Sequence, residues 1–287
     1  LAFQRKRLWV YSASGETELS SKSEKLAMLT RLVFLISLIL TSTIFLTGAW
    51  PGPFAESNPE PETAFVAQPL ELDADLVGAG VDAKTLLQKA LDAIAPERTP
   101  WLKTRILQTV SDAPSHFVAE GFLQRGPNRC ARLEMTIATG DRPSRLIVVS
   151  DGEVIAQERR ILYQEPAVTV ERFPDDNDAA KDELLVRKGC GGPSAILEQM
   201  CEHLTNATLQ TGMLGDVPVI RIQGEIESDV SRASVYLHAK TLWLQRVEWF
   251  TRDDNGGSRM SLRIEFLEPE LRREMRVEEC IRVFSYP

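Results

Sequence analysis

The stretch SRLIVVSDGEVIAQERR, residues 144–160, decides the fold class. Two runs rich in β-branched residues flank Asp151-Gly152, a dipeptide that supplies the tight turn of a β-hairpin. A hairpin pairs its strands antiparallel. Upstream, Phe117, Ala119, Gly121 and Leu123 alternate with more polar neighbours. Ala131, Leu133, Met135 and Ile137 do the same against Arg132, Glu134 and Thr136. Period two marks strands with one buried face. LYQEPAVTVERF reads as a further strand. Downstream, VPVIRIQGEI, SVYLHAK, LWLQRVEWF and SRMSLRIEF read as four more, separated by turn sequences such as Asp254-Asn255-Gly256-Gly257. Turns this short leave no room for parallel crossovers.

Two segments carry a helical period instead. In VDAKTLLQKALDAIAPER, Asp82 is placed to cap, Leu86, Leu87, Ala90, Leu91 and Ile94 share a face, and Pro96 stops the run. In GGPSAILEQMCEHL, Pro193 sits near the first turn and Ile196, Leu197, Met200 and Leu204 share a face. The spacing thus predicts amphipathic helices over 82–95 and 194–204. Residues 174–189, charged and Asp-rich, read as an exposed loop, and the ending CIRVFSYP reads as a short strand. The expected class is α+β: a curved antiparallel sheet with short amphipathic helices as its lid.

Strand SRMSLRIEF shows what such a sheet must solve. Met260, Leu262, Ile264 and Phe266 occupy one face, and Arg259, Ser261, Arg263 and Glu265 the other. The apolar face needs a cover: helices, a second sheet, or a bound apolar ligand. Two short helices are modest cover for eight or more strands. The candidate cavity residues are Leu133, Met135, Val247, Trp249, Met260, Leu262, Ile264 and Phe266. Trp243, Val247 and Trp249 alternate along one expected strand and serve either packing or cavity lining.

The N-terminal part reads differently. Residues 1–31 form a basic tail; residues 32–50 are apolar and carry no charge. Nineteen residues make about 28 Å of helix, close to the bilayer core. Basic residues precede the run and acidic ones follow it, which orients the N-terminus to the cytoplasm and the remainder outside. Two readings stand side by side. One is a cleaved signal sequence, with Met28 as an alternative start; the other is an uncleaved anchor in the inner membrane. Residues 51–80, rich in proline and acids, read as a linker, and residues 81–287 as the folded domain.

Composition narrows the chemistry. A net charge of −8 and a pI near 5.2 argue against a nucleic-acid partner. Cys130, Cys190, Cys201 and Cys280 all follow the apolar run, and an even count in an exported segment permits two disulfides in three connectivities. His116, His203 and His238 lack metal-ligand spacing. Asp175, Asp176, Asn177 and Asp178 lack the glycine and closing glutamate of a calcium loop. No nucleophile elbow surrounds Ser111, Ser115 or Ser150. No cofactor and no catalytic constellation is expected.

The helix–hairpin–helix–hairpin order resembles the LolA-like family of periplasmic lipoprotein carriers. The resemblance is carried by VSDGEVI, by LHAKTLWLQRVEWF-TRDDNGG-SRMSLRIEFLEPE, by the mid-domain helix in GCGGPSAILEQM and by the ending Phe284-Ser285-Tyr286-Pro287. It spans about residues 81–287 and transfers no ligand-contacting residue. It implies an unclosed β-barrel, a half-barrel with helices as its lid, whose hydrophobic cavity takes lipid or lipoprotein acyl chains in the periplasm. An anchored sensor or scaffold that binds another envelope protein is the alternative it implies.

Overall fold

The computed structural model describes residues 64–70, 81–111, 116–138, 143–174, 177–226, 231–252, 257–275 and 277–285. The basic tail, the apolar run and most of the proline-rich stretch lie outside these residues. Among the described residues, no helix is long and apolar enough to cross a membrane.

Among the described residues there are twelve strands and four helices, and the strands form one antiparallel sheet. They are β1 (Phe65–Ala67), β2 (Trp101–Val110), β3 (Phe117–Arg125), β4 (Cys130–Ala138), β5 (Ser144–Asp151), β6 (Val154–Ile161), β7 (Ala167–Arg172), β8 (Leu204–Leu214), β9 (Val217–Ile226), β10 (Ser231–His238), β11 (Leu244–Arg252) and β12 (Ser258–Arg272). Four helices accompany them: α1 (Ala83–Ala93), α2 (Asp178–Arg187), α3 (Gly192–His203) and α4 (Val277–Phe284). The strand order is β1-β8-β9-β10-β11-β12-β2-β3-β4-β5-β6-β7, with β1 and β7 as unjoined edges. The barrel is therefore open, as the resemblance implies.

Local chemistry explains the elements. At the β5–β6 turn, Gly152 adopts φ +97°, a left-handed value that a side chain disfavours. Asp151 Oδ1 accepts from Glu153 N and Val154 N, each at 2.9 Å. Asp82 caps α1 by accepting from Thr85 N at 2.7 Å, and that hydrogen bond holds its carboxyl below the usual range. Leu86, Leu87, Ala90 and Ile94 of α1 then join Leu197 and Met200 of α3 in the main core over the sheet's inner face. Arg125 at the end of β3 ties this lid down. It donates to Ser194 Oγ at 2.5 Å and to Ile94 O at 2.6 Å, joining the start of α3 to the end of α1.

Several expectations need correction. The stretch read as a loop, 174–189, contains α2. Asn177 caps it through Ala180 N at 3.2 Å, Asp178 sits in its first turn and Arg187 in its last. Only Leu184 is deeply buried, so no apolar stripe announced the helix. The ending read as a strand is α4: Cys280, Val283 and Phe284 recur at helical spacing, with Glu278 and Glu279 at the N-terminal end and Arg282 at the other. Trp243 is not part of β11; it lies in the preceding turn, where its Nε1 donates to Phe266 O at 3.0 Å. Strands β2 and β8 carry no expectation from the sequence, and β1 lies inside the stretch read as linker. Phe65 of β1 packs edge-on to Tyr236 at 5.8 Å, beneath the Arg221 guanidinium at 4.5 Å.

Two substitutions probe this frame. A Cβ at Gly121 would lie 1.7 Å from Glu134 O across the β3–β4 ladder, so Gly121→Ala must force the strands apart. It is expected to cost about 3 kcal/mol or more. Leu86→Ala, which empties a fully buried site, is expected to cost about 2–5 kcal/mol. Urea unfolding checks both: the midpoint falls, with the slope unchanged.

Candidate functional site

Register assigns the inner face strand by strand. Leu133 opposes Leu123 and Val148; Met135 opposes Gly121 and Leu146. Val247 opposes Ile264, Trp249 opposes Leu262, and Phe266 opposes Ile106. Leu133 and Met135 lie on β4, the other candidates on β11 and β12, with β2 and β3 between the two groups. Curvature folds both groups into one buried cluster together with the apolar faces of α1 and α3. Met260 is the exception: it sits half-buried near the rim, paired with Phe250 beyond the bulge that shifts the β11–β12 register.

Size shows how the face is covered. Helices of 11 and 12 residues are about 17 Å long at 1.5 Å per residue. Twelve strands at ~4.8 Å spacing extend about 50 Å. The two helices pack on each other and reach the sheet beside β8. They roof part of the trough, and the sheet's own curvature and side chains must enclose the rest.

The trough is not uniformly apolar. Leu102, Thr104, Gln108 and Val110 share β2's inward face, and Gln108 opposes Ile264. Thr104 Oγ1 is satisfied by Leu267 O at 2.8 Å. Gln108 Nε2 and Trp249 Nε1 are not: both are buried, and neither has a hydrogen-bond partner among the described residues. They belong to side chains only 5% and 6% exposed. Gln108 and Trp249 stand on either side of β12, opposite Ile264 and Leu262 respectively. Sequence reasoning reached Trp249 but not Gln108. The available signal was a polar residue at an inward position of an alternating strand.

The outer face of β9–β12 carries a different arrangement. Glu248 Oε1 meets Arg263 Nε at 2.9 Å and Arg246 Nη1 at 3.5 Å. Arg246 Nη2 meets Glu265 Oε1 at 2.8 Å, and Tyr236 Oη donates to Glu248 Oε2 at 2.8 Å. Burial, then the Glu248 charge, pushes the Tyr236 hydroxyl up to about 12. Each acid here is held by a cation, so the cluster is suited to bracing the sheet rather than to moving protons.

A groove of about 180 Å³ opens where α4 meets the ends of β2 and β3, with Trp101, Gln124, Arg125, Glu270, Glu279 and Phe284 among its lining. Leu102, at the end of β2's inward face, is the one trough residue named above that also lines it. Glu270 is neutralised by Lys103 at 3.0 Å and by Arg272 at 2.9 Å. Of the histidines, His238 Nδ1 accepts from Lys240 N and Thr241 N in a turn, and His203 ends α3. Among the described residues, no group of three metal-ligating side chains gathers.

No family model matches this chain, and no curated protein matches its sequence. Among solved structures it is similar to LprF from Mycobacterium bovis, at 12% identity and a TM-score of 0.43, over 68% of this chain and 95% of that one. It is also similar to a DUF1329 family protein from Desulfovibrio piger, at 7% identity and a TM-score of 0.30, over 67% of this chain and 94% of that one. At these identities the similarity assigns no function to any residue.

The Tyr236–Glu248 bond has a pH signature. Its raised folded pKa, about 12, exceeds the ~10 of an unfolded tyrosine. The contribution is therefore whole below about pH 10 and is lost as pH climbs through the folded value. Tyr236→Phe is expected to be about 2 kcal/mol less stable at pH 8. That gap should narrow between pH 10 and 12 in thermal unfolding of the two proteins.

Proposed function

We propose that this chain is a non-enzymatic extracytoplasmic protein that binds a lipid, or the acyl chains of a lipidated partner, in its half-barrel. The observation that carries this is the pair of donors, Gln108 Nε2 and Trp249 Nε1, left without acceptors inside an otherwise oily trough. An unmet buried donor costs about 1–3 kcal/mol. An acyl ligand supplies what is missing: a hydrocarbon chain against Leu133, Met135, Val247, Leu262, Ile264 and Phe266, and a carbonyl or carboxylate oxygen for the donors. Met260 at the rim lies where such a chain would enter. The trough is already lined by the protein's own side chains, so loading requires the α1–α3 pair to lift together. The Arg125 clamp and the α1–α3 packing are the contacts that motion must break. The apolar run 32–50 provides export, by cleavage or by anchoring to the inner membrane.

Binding of another envelope protein is the second reading, and one observation favours it. Edge strand β7 is open and presents Val168 and Val170, which are 47% and 61% exposed. An open edge is a template for strand addition.

Displacement of a fluorescent fatty acid from the full chain separates the two. A lipid site gives saturable displacement. Trp249→Phe and Gln108→Leu, which keep most of the bulk and remove the donors, should each weaken the probe about 10-fold, or ~1.4 kcal/mol. No saturable binding, together with partner capture abolished by Val170→Asp, would support the second reading and defeat the first.

A further inference from the structure

Four cysteines are present as free thiols. The pairings are not equivalent. Cys190 precedes α3 and Cys201 lies near its end. About nine intervening helical residues separate them by ~14 Å, twice the ~7 Å a disulfide tolerates between Cα atoms. Cys190 is also buried in the inner core, where burial pushes its thiol up to about 12. Cys201 faces α1, near Lys84 and Asp92.

Cys130 and Cys280 are placed otherwise. The ladder sets out a row across four strands. Leu102 pairs with Arg125 and Arg125 with Ala131, so the next row holds Trp101, Gly126 and Cys130. The Gly126 N to Cys130 O bond of 2.8 Å closes that row, and Cys130 pairs with Asp151. Ala131 faces the inner core, so Cys130 points to the outer face. Helix α4 lies on that same face against β4 and β5. Arg132 Nη1 donates to Val283 O at 3.1 Å. Phe284 stacks on Trp101 at 5.9 Å, and a Cβ added at Gly126 would come within 2.9 Å of its ring.

Phe284 is thus seated over Trp101 and Gly126. Cys280 is four residues earlier, on the same side of the helix and about 6 Å back along its axis. One strand spacing from Gly126 is ~4.8 Å, which brings Cys280 over Cys130. Burial, then the neighbouring Cys280 and Asp151, raises the Cys130 thiol to about 11. Both residues are only half-buried, so an oxidant can reach them.

We propose that Cys130 and Cys280 form a disulfide that staples α4 to the outer face of the sheet and fixes one wall of the groove beside Trp101. The oxidant is an exchanging disulfide, such as oxidised glutathione or the disulfide of a thiol oxidase. One thiolate attacks it and displaces a thiol; the second thiolate attacks the mixed disulfide and displaces the other. One Sγ–Sγ bond forms as one breaks, and two electrons and two protons pass to the oxidant. The inference is independent of any ligand in the trough.

The full chain treated with oxidised glutathione, then alkylated and mapped by mass spectrometry, tests it. Two alkylated cysteines instead of four, and a Cys130–Cys280 linked peptide, are expected. Cys130→Ser and Cys280→Ser should each leave the remaining three thiols free of any internal link. Hydrogen exchange in α4 should slow about 10-fold or more in the oxidised form. Four alkylated thiols, a link through Cys190 or Cys201, or a persistent glutathione adduct at Cys130 or Cys280 would overturn the pairing. Unchanged exchange in a linked protein would overturn the staple.

Discussion

One dry surface governs this molecule: the concave face of an antiparallel sheet too wide for its helices to cover. Apolar area removed from water stabilises at about 25 cal/mol per Å², so leaving such a face wet would cost more than a domain's whole margin of stability. The chain answers in two ways. It curls the sheet until β4 and β11 contribute to one core, and it packs the apolar faces of α1 and α3 onto that core. The curl depends on the edges β1 and β7 staying unjoined, because a closed barrel of this many strands would leave a lumen that these side chains could not fill.

The outer face obeys the opposite constraint. It carries charge, and the long side chains of neighbouring strands shield one another there. Arg246, Glu248, Arg263 and Glu265 pair across β11 and β12. Breaking such a network from one side leaves a charge poorly solvated, which is more damaging than the net gain of forming it. Bracing on the outer face and burial on the inner face therefore act on the same strands. Helix α4 extends the bracing to β4 through Arg132 and to β2 through Phe284 on Trp101, and the proposed Cys130–Cys280 bond would make that attachment covalent.

The two unmet donors contrast with two buried donors nearby, on β2 and just before β11. Trp243 Nε1 and Thr104 Oγ1 reach backbone carbonyls. Trp249 Nε1 and Gln108 Nε2 lie on the same inner face and do not. Two polar groups so placed give an oily trough a direction: a ligand with one polar end and one apolar end has a preferred way to lie.

Much of this was legible in local pattern. Alternation in 117–123, 131–137 and 259–266 and the Asp151-Gly152 turn require only neighbouring residues to interpret, because the pleat sends successive side chains to opposite faces. The same holds for α1 and α3, whose apolar residues recur every three or four positions. Helix α2 was hidden because capping and charge, rather than a stripe, define it. Helix α4 was hidden because its short apolar set fits either period until a sheet surface lies beneath it. Strand β2 was masked by Thr104 and Gln108, polar residues at inward positions. The sequence by itself determined that the sheet is antiparallel and which faces of its alternating strands are oily. Only the tertiary structure decided that β1 pairs with β8, that β2 lies between β12 and β3, that Gln108 and Trp249 share a dry face, and that α4 packs against β4 and β5. Those facts depend on register between segments far apart in the chain, and no local periodicity encodes a register.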